Sequence, residues 1–263
     1  MGAAPDYPRL VSEVLGIRHA PAELARRLIE QALVVEDRRE SWRRAGARIC
    51  RNAPAAPGVY VLRDAEDRTI YVGKAVNVRR RLTAHFADRR WRALHPAMAR
   101  VTQVECHTVG SEIEALLREA ILIRELQPIA NVQIGKPALR TRAIPRALVR
   151  DVIVVAQSAD AESVELIAAR ADGHVMVRRA NRNGDGLERV AAALSECFGI
   201  GMTGTRPSVE LPLAPLVFSW LAGRGRGATR LDPHDAATAD ELCARLGLVL
   251  KDKALFVERL IPV

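Results

Sequence analysis

The sequence predicts an α+β protein with a small central antiparallel three-stranded sheet flanked by helices and a C-terminal α+β accessory domain. Two short runs with strand-like alternation, at 59–62 and 69–72, are joined by a polar turn and followed directly by a basic helix. A third strand is expected at 103–109, and a capped helix at 111–126 is ended by Pro128. The predicted order of elements in this region is therefore strand, strand, helix, strand, helix.

Further elements are expected on both sides of this region. Residues 8–50 carry an apolar stripe at helical spacing with arginines on the other side, which predicts helices. A glycine- and arginine-rich run at 223–227 predicts a flexible basic loop. The remaining expected elements are strands at 152–157, 164–169, 174–179 and 254–259, and helices at 187–198, 214–222 and 235–246.

The composition indicates a globular chain with a polyanionic partner. Of 263 residues, 49% are hydrophobic and 27% are charged, and Lys and Arg exceed Asp and Glu by nine charges. Arginines crowd the segments 38–51 and 79–100, whereas 151–175 holds a single arginine against five acidic residues. A localised basic surface favours phosphate contacts, although an arginine-rich composition can also follow from a GC-rich genome.

Cysteine usage and hydropathy predict a cytoplasmic protein. The four cysteines are scattered, with no spacing typical of a zinc site, so we expect reduced thiols. The N-terminus has no apolar leader, and no run approaches the length of a membrane span.

One thirty-residue segment concentrates groups that suit phosphate chemistry. It holds Tyr60 and Tyr71, two of the three tyrosines, on neighbouring predicted strands that can project them to one face. Ordinary sheet tyrosines are the alternative, because tyrosine favours strands. Asn77, Arg81 and His85 follow at spacings of four, which predicts one side of a helix. His85 could equally be an ordinary histidine at a helix end.

Two later polar residues complete the candidate site. Glu119 lies on a helix whose apolar neighbours predict packing, and a carboxylate beside a packed face is costly unless it is paired or bound to a metal. A solvated helix glutamate is the alternative. Asn131 follows Pro128 and could be a turn residue.

These residues resemble one enzyme family. Gly58-Val59-Tyr60 and Tyr71-Val72-Gly73 resemble the paired signature of GIY-YIG nucleases, with valine in place of isoleucine in both triplets. The segment 119–131 is most similar to the N-terminal nuclease domain of UvrC-type excision-repair endonucleases and their short Cho-like relatives. The resemblance covers about 55–135 and includes the following residues in the family's order: Lys74, Asn77, Arg81, His85, Glu119 and Asn131.

The resemblance implies a role for each residue. Glu119 is expected to be the sole protein ligand of Mg²⁺ or Mn²⁺, Tyr60 the general base for water, and Tyr71 a group that positions water at the metal. Arg81 is expected on the scissile phosphate, with His85 supporting the leaving oxygen or a water. We expect Lys74 or the metal to lower the pKa of Tyr60. Supporting residues are Lys74, Asn77 and Asn131, and the expected DNA contacts are Lys74, Arg79, Arg80, Arg89 and Arg90.

The resemblance also implies an organisation and a function. We expect an N-terminal helical arm at 1–52, a GIY-YIG nuclease domain at 53–136 and an accessory α+β domain at 148–263. The expected function is metal-dependent DNA incision in nucleotide-excision repair, and the expected partners are DNA and helicase or damage-recognition components of excision repair. The alternatives are a structure-specific or mobile-element nuclease, and a DNA-binding module without turnover.

Overall fold

The computed structural model describes residues 5–37, 39–88, 96–133, 144–201 and 211–251. The chain divides into two compact units. The first is drawn from Met1–Thr108 and Arg118–Pro137, and the second from Val109–Leu117 and Ala138–Val263.

The first unit is built on an antiparallel sheet in the order β2-β1-β3. Its strands are β1 (Gly58–Arg63), β2 (Thr69–Ala75) and β3 (Gln103–Thr108). The helices in chain order are α1 (Tyr7–Leu10), α2 (Ala22–Asp37), α3 (Arg39–Asn52), α4 (Val78–Ala87), α5 (Glu112–Leu126, which enters this unit at Arg118) and α6 (Ile129–Gln133). The predicted three-stranded antiparallel sheet flanked by helices is confirmed.

Helix α3 belongs to the apolar core of this unit. Trp42 and Ile49 are buried in one cluster with Leu62 of the central strand and Leu82 of α4. The indole Nε1 of Trp42 donates a hydrogen bond to the main-chain oxygen of Phe86, 3.1 Å away, and the two rings lie 4.4 Å apart. The end of α4 is therefore held by a residue 44 positions earlier in the chain.

Asp64 organises the turn between β1 and β2. Its carboxylate is 1% exposed, accepts hydrogen bonds from the main-chain N–H groups of Glu66 and Arg68, and pairs with the guanidinium groups of Arg68 and Arg100 at 2.9 and 2.7 Å. Burial opposes ionisation, but the hydrogen bonds from Arg100 and Arg68 outweigh it and hold the pKa of Asp64 at about 2. The hairpin that carries both tyrosines is thus tied to the segment before β3.

We expect Asp64→Asn to lower the free energy of unfolding by about 1.5–3 kcal/mol at neutral pH, because hydrogen bonds to a charged group disappear. The pKa of Asp64 is lower in the folded chain than its usual 3.8, so its contribution is present above pH 3.8 and is lost as pH falls towards 2. Urea unfolding at several pH values measures this loss. The control is Asp67→Asn in the same turn, where the side chain is 75% exposed. Equal pH profiles for wild type and Asp64→Asn would contradict the assignment.

The second unit contains another antiparallel sheet, in the order β6-β5-β4-β7. Its strands are β4 (Val152–Gln157), β5 (Ser163–Ala169), β6 (Val175–Asn181) and β7 (Thr229–Leu231). The helices are α7 (Leu187–Phe198), α8 (Ala214–Ala222) and α9 (Ala239–Lys251). One face of the sheet packs on α7 and α9 around Leu166, Phe198 and Leu246. The predicted additional α+β unit is confirmed.

Three details of the second unit differ from the sequence-based expectation. Strand β7 is not predicted by the sequence, because three residues are too few to establish an alternating pattern. The helix expected at 235–246 begins later, at Ala239, because Thr238 accepts a hydrogen bond from the N–H of Glu241 and so caps it. The expected basic loop contains a short 3₁₀ turn, Arg224–Gly227. The strand expected at 254–259 lies outside the described residues.

Within the ranges given above, no helix is long and apolar enough to cross a membrane. The cytoplasmic location and the division into arm, nuclease domain and accessory domain stay predictions.

Candidate active site

The hairpin β1–β2 brings the two signature tyrosines to one face of the sheet. Tyr60 lies directly opposite Gly73, and Tyr71 is two residues before Gly73 on the same face. The ring centroids of Tyr60 and Tyr71 are 6.1 Å apart. The ring of His85, from α4, lies 6.1 Å from Tyr60 and 6.0 Å from Tyr71. The three rings therefore form a nearly equilateral cluster.

Gly73 makes room for this cluster. A Cβ atom at Gly73 would lie 2.6 Å from the Tyr60 hydroxyl and 2.6 Å from Cε1 of Tyr71. Contacts that short do not occur, so both rings occupy the space that any side chain at Gly73 would need. Gly73 in the second triplet therefore has to be glycine if Tyr60 in the first triplet is to keep its position.

We expect Gly73→Ala to lower the nicking rate by roughly 100-fold, because a displacement of about 1 Å in a catalytic group can cost that much. Plasmid nicking under initial-rate conditions measures it. Gly247→Ala in α9 is the matched control, because a Cβ there meets its nearest atom at an ordinary 3.7 Å. An alanine variant at Gly73 with wild-type activity would show that ring placement does not limit the reaction.

Tyr60 and His85 are hydrogen-bonded inside the unit. The Tyr60 hydroxyl lies 2.8 Å from Nε2 of His85, and both residues are buried. Burial and the charge of Arg81 lower the pKa of His85 to about 4, so its ring is neutral at neutral pH. Burial raises the pKa of Tyr60 well above its usual value. The phenol therefore keeps its proton, and the tautomer of the imidazole sets which of the two groups donates in this hydrogen bond.

The cation that acts on Tyr60 is Arg81. Arg81 opposes the effect of burial on the pKa of Tyr60 through its charge and a side-chain hydrogen bond. The expectation that Lys74 or the metal lowers this pKa stays a prediction. Lys74 acts on Glu119, where its charge favours the ionised carboxylate. Arg81, which lies on α4, acts on both groups, since its charge also favours the ionised form of Glu119.

Glu119, on α5, reaches the end of β2. Its Oε1 accepts a hydrogen bond of 3.0 Å from the main-chain N–H of Lys74. Burial raises the pKa of Glu119, and the charge and N–H of Lys74 and the charge of Arg81 partly offset that rise. Glu119 also raises the pKa values of Tyr60 and Tyr71 through its charge. One carboxylate therefore shares the electrostatic environment of both tyrosines and of Arg81.

Asn131 holds the free edge of β2. Its Oδ1 accepts from the N–H of Val72 and its Nδ2 donates to the oxygen of Val72, both at 2.9 Å. Val72 lies between Tyr71 and Gly73 on a strand that pairs with β1 along its other edge. The asparagine amide thus takes the place of a neighbouring strand and fixes the segment that carries the second triplet.

Helix α4 presents the remaining predicted residues. Asn77 caps it, with Oδ1 accepting from the N–H of Arg80 at 2.9 Å, so this side chain is used by the helix end and not by the ring cluster. Arg81 is exposed, as are Arg79 and Arg80, and Lys74 is half-buried. Arg89 and Arg90 lie outside the described residues.

The sequence alone does not reveal the contacts that support these groups. It suggests a leaving oxygen or a water as the partner of His85, whereas the described partner of Nε2 is Tyr60. It also does not identify Trp42, which holds the end of α4 one residue beyond His85. The one signal available is the buried stripe of α3, which contains the only tryptophan of that helix.

Comparisons with known proteins agree with this geometry. Residues 56–132 match the family model of the UvrC-like GIY-YIG domain. The UvrABC system protein C of Desulforudis audaxviator is 42% identical over 79 residues, which are 30% of this chain and 13% of that protein. The corresponding protein of Nitrobacter winogradskyi is 36% identical over 132 residues, 49% of this chain and 16% of that protein. The chain therefore spans a small part of the length of these relatives.

A solved structure is also similar. The GIY-YIG N-terminal endonuclease domain of UvrC from Thermotoga maritima, bound to its catalytic divalent cation magnesium, is 30% identical over 30% of this chain and 88% of that one, with a TM-score of 0.28. The assignment rests on the sequence match and the residues of the site, not on that superposition. Residues 56–132 form a UvrC-like GIY-YIG domain.

Proposed function

We propose that this chain is a metal-dependent DNA endonuclease that hydrolyses a phosphodiester bond in nucleotide-excision repair. The observation that carries the proposal is the meeting of Tyr60, Tyr71, His85 and Arg81 with the carboxylate of Glu119 at one end of one sheet. These groups supply a base, a phosphate-binding cation and a hard anionic ligand, which are the parts that phosphodiester hydrolysis needs.

The donor set fits a magnesium ion, with manganese as the other candidate. Glu119 offers carboxylate oxygens, and hard divalent cations prefer oxygen ligands. Among the residues that the structure describes, no group of three or more His, Cys, Asp or Glu side chains could form an all-protein cage. Mg²⁺ commonly keeps several waters and binds one or two carboxylates together with substrate phosphate. When bound, the metal supplies Lewis acidity at the phosphate and stabilises developing negative charge.

Tyr60 and His85 form the proposed proton path. As the attacking water gives a proton to the Tyr60 hydroxyl, that hydroxyl passes its own proton to Nε2 of His85, so no free phenolate has to form first. Arg81 favours the phenolate through its positive charge. Tyr71, whose ring lies 6.1 Å from that of Tyr60, positions water beside it.

Arg81 is the proposed phosphate-binding group. Its guanidinium is exposed, so substrate can reach it, and its charge acts on Tyr60, Tyr71 and Glu119. A planar guanidinium can donate two parallel hydrogen bonds to a phosphate, which both orients it and stabilises charge. Lys74, Arg79 and Arg80 extend this contact along the DNA backbone. The products are a 5′-phosphate and a 3′-hydroxyl.

Repair is the favoured setting because the similar proteins belong to the UvrABC system. We propose DNA as the substrate and an excision-repair helicase or damage-recognition component as a partner, in a Cho-like arrangement of one nuclease domain with an accessory domain. The second unit of the chain would then contact the partner or orient the DNA.

Plasmid nicking tests the proposal. Supercoiled plasmid is incubated with Mg²⁺ and wild-type protein or Glu119→Ala, and EDTA is added in parallel. We expect wild type to nick in Mg²⁺ alone and Glu119→Ala to lose on the order of 10³-fold in rate, because a metal supplies several kcal/mol of charge stabilisation. Equal rates for both proteins would remove Glu119 as the metal ligand.

Two further outcomes separate the alternatives. If neither protein nicks but both bind DNA, the chain is a DNA-binding module. Comparison of a duplex with a bulky lesion, an intact duplex and a branched duplex distinguishes a repair enzyme from a structure-specific or mobile-element nuclease, since only a repair enzyme prefers the lesion.

A further inference from the structure

We propose that the exposed face of α3 binds the phosphate backbone of duplex DNA beside the incision site. This inference rests on the proposed function, because it takes the substrate to be DNA. Helix α3 lies before residues 56–132, so the family match says nothing about it. The helix has one buried apolar face and one exposed basic face.

The buried face of α3 attaches the helix to the unit that carries the site. Trp42, Ala45 and Ile49 are buried, and the indole N–H of Trp42 donates a hydrogen bond to the main-chain oxygen of Phe86 at the end of α4. A Cβ atom at Gly46 would lie 2.6 Å from the ring of Phe86, so the two helices approach closely at this point. Because α3 is packed along α4, its position relative to the site on α4 is defined.

The opposite face is basic and exposed. At 100° per residue, Arg43, Arg44, Arg48 and Arg51 lie on the half of the helix that points away from Trp42, and all four are exposed. The acidic residue on that half is Glu40, which pairs with Arg44 at 3.0 Å. Arg48 donates to the main-chain oxygen of Thr102. Among the described residues, neither Arg43 nor Arg51 has a carboxylate partner, so this face carries excess positive charge.

The helix that carries the site adjoins the end of α3 and is also basic. Arg79 donates from Nε to the oxygen of Ala53 at 2.8 Å, and its main-chain N–H donates to the oxygen of Pro54 at 3.0 Å. The first turn of α4 therefore abuts the last turn of α3, near Arg51. Arg80 and Arg81 are exposed on α4, so both of these adjoining helices carry exposed arginines.

The chemistry of the face selects a phosphate backbone as its occupant. A helix of 14 residues is about 21 Å long, which corresponds to about six base pairs of B-form DNA. Guanidinium groups match phosphate oxygens in geometry and charge. The large apolar side chains of α3 are buried in the unit, so this face offers none to insert into a membrane or to bury against an apolar protein surface. Contacts of this kind are independent of base sequence.

Salt-dependent binding tests the inference. The triple variant R43Q/R44Q/R51Q, which leaves Arg48 and its bond to Thr102 intact, is compared with the control R18Q/R26Q/R27Q, three exposed arginines on the N-terminal helices and their connection. Both are made in the Glu119→Gln background, and a labelled 30-base-pair duplex is titrated by fluorescence anisotropy at several salt concentrations. We expect the slope of log K against log salt to become shallower by roughly 2.7 for the α3 triple variant, since each phosphate that is no longer neutralised removes about 0.9. The control is expected to keep the parent slope, and both variants are expected to keep its thermal midpoint.

Two results would overturn the inference. One is that the α3 triple variant keeps the salt slope of the Glu119→Gln parent. The other is that both triple variants change the slope equally, which would show that only the net charge of the chain matters. The corresponding R43K/R44K/R51K variant is expected to keep the slope, since lysine keeps the charge. Failure of the proposed function is seen separately, as a lack of nicking by wild type in Mg²⁺. If the salt slope becomes shallower in the α3 triple variant and wild type nicks plasmid, both proposals are supported. If the slope becomes shallower but wild type does not nick, only the α3 surface is supported.

Discussion

Replacement of Tyr60 by phenylalanine is expected to lower the nicking rate by roughly 10²- to 10⁴-fold, the usual contribution of a general base. The ring would keep its place opposite Gly73, but the hydroxyl that is hydrogen-bonded to His85 would be gone. Since the Nε2 of buried His85 would lose that hydrogen-bond partner, the free energy of unfolding should also fall by about 1–3 kcal/mol. Nicking rates and urea unfolding of the same preparations measure the two effects.

Two variants separate the missing base from a general loss of structure. Tyr7→Phe, on α1, is the matched control and should keep the wild-type nicking rate. His85→Gln keeps an acceptor near the Tyr60 hydroxyl but cannot accept a proton as imidazole does, so it should retain most of the stability and lose rate. If Tyr60→Phe nicks like wild type, Tyr60 is not the base and the proton path has to be abandoned.

Replacement of Trp42 by alanine is expected to give the largest loss of stability, about 3–5 kcal/mol, as for other buried aromatic side chains truncated to alanine. Trp42 is 2% exposed, packs on Phe86 and bonds to its main-chain oxygen. Because that oxygen lies in the last turn of α4, we expect the end of the helix that carries His85 to open more often. Urea unfolding measures the global loss, and hydrogen exchange of the α4 amides measures the local one.

Trp42→Phe distinguishes packing from hydrogen bonding. Phenylalanine keeps most of the apolar contact with Phe86 but has no N–H to donate, so it should lose about 1 kcal/mol and show faster exchange mainly in the last turn of α4. If Trp42→Ala unfolds at the wild-type urea concentration and its α4 amides exchange normally, α3 does not support the nuclease unit.

Sequence and structure agree best where a feature is local. The paired strands and the turn between them were predictable because each depends on a few neighbouring residues. The last helix was placed less well, because its start depends on which of several polar residues caps it. Strand β7 could not be predicted, because its three residues are a strand only through pairing with β4.

The same division holds within the site. By itself, the sequence determined the order of signature residues, and with them the family and the set of side chains available for chemistry. Only the tertiary structure decided how they are used: that Tyr60 is hydrogen-bonded to His85, that Asn131 closes the edge of β2, that Arg81 acts on Tyr60, and that Trp42 holds α4. These pairings join residues that lie far apart in the chain. Their existence and their effect on pKa depend on distances and burial, which arise only when the sheet and its helices pack together.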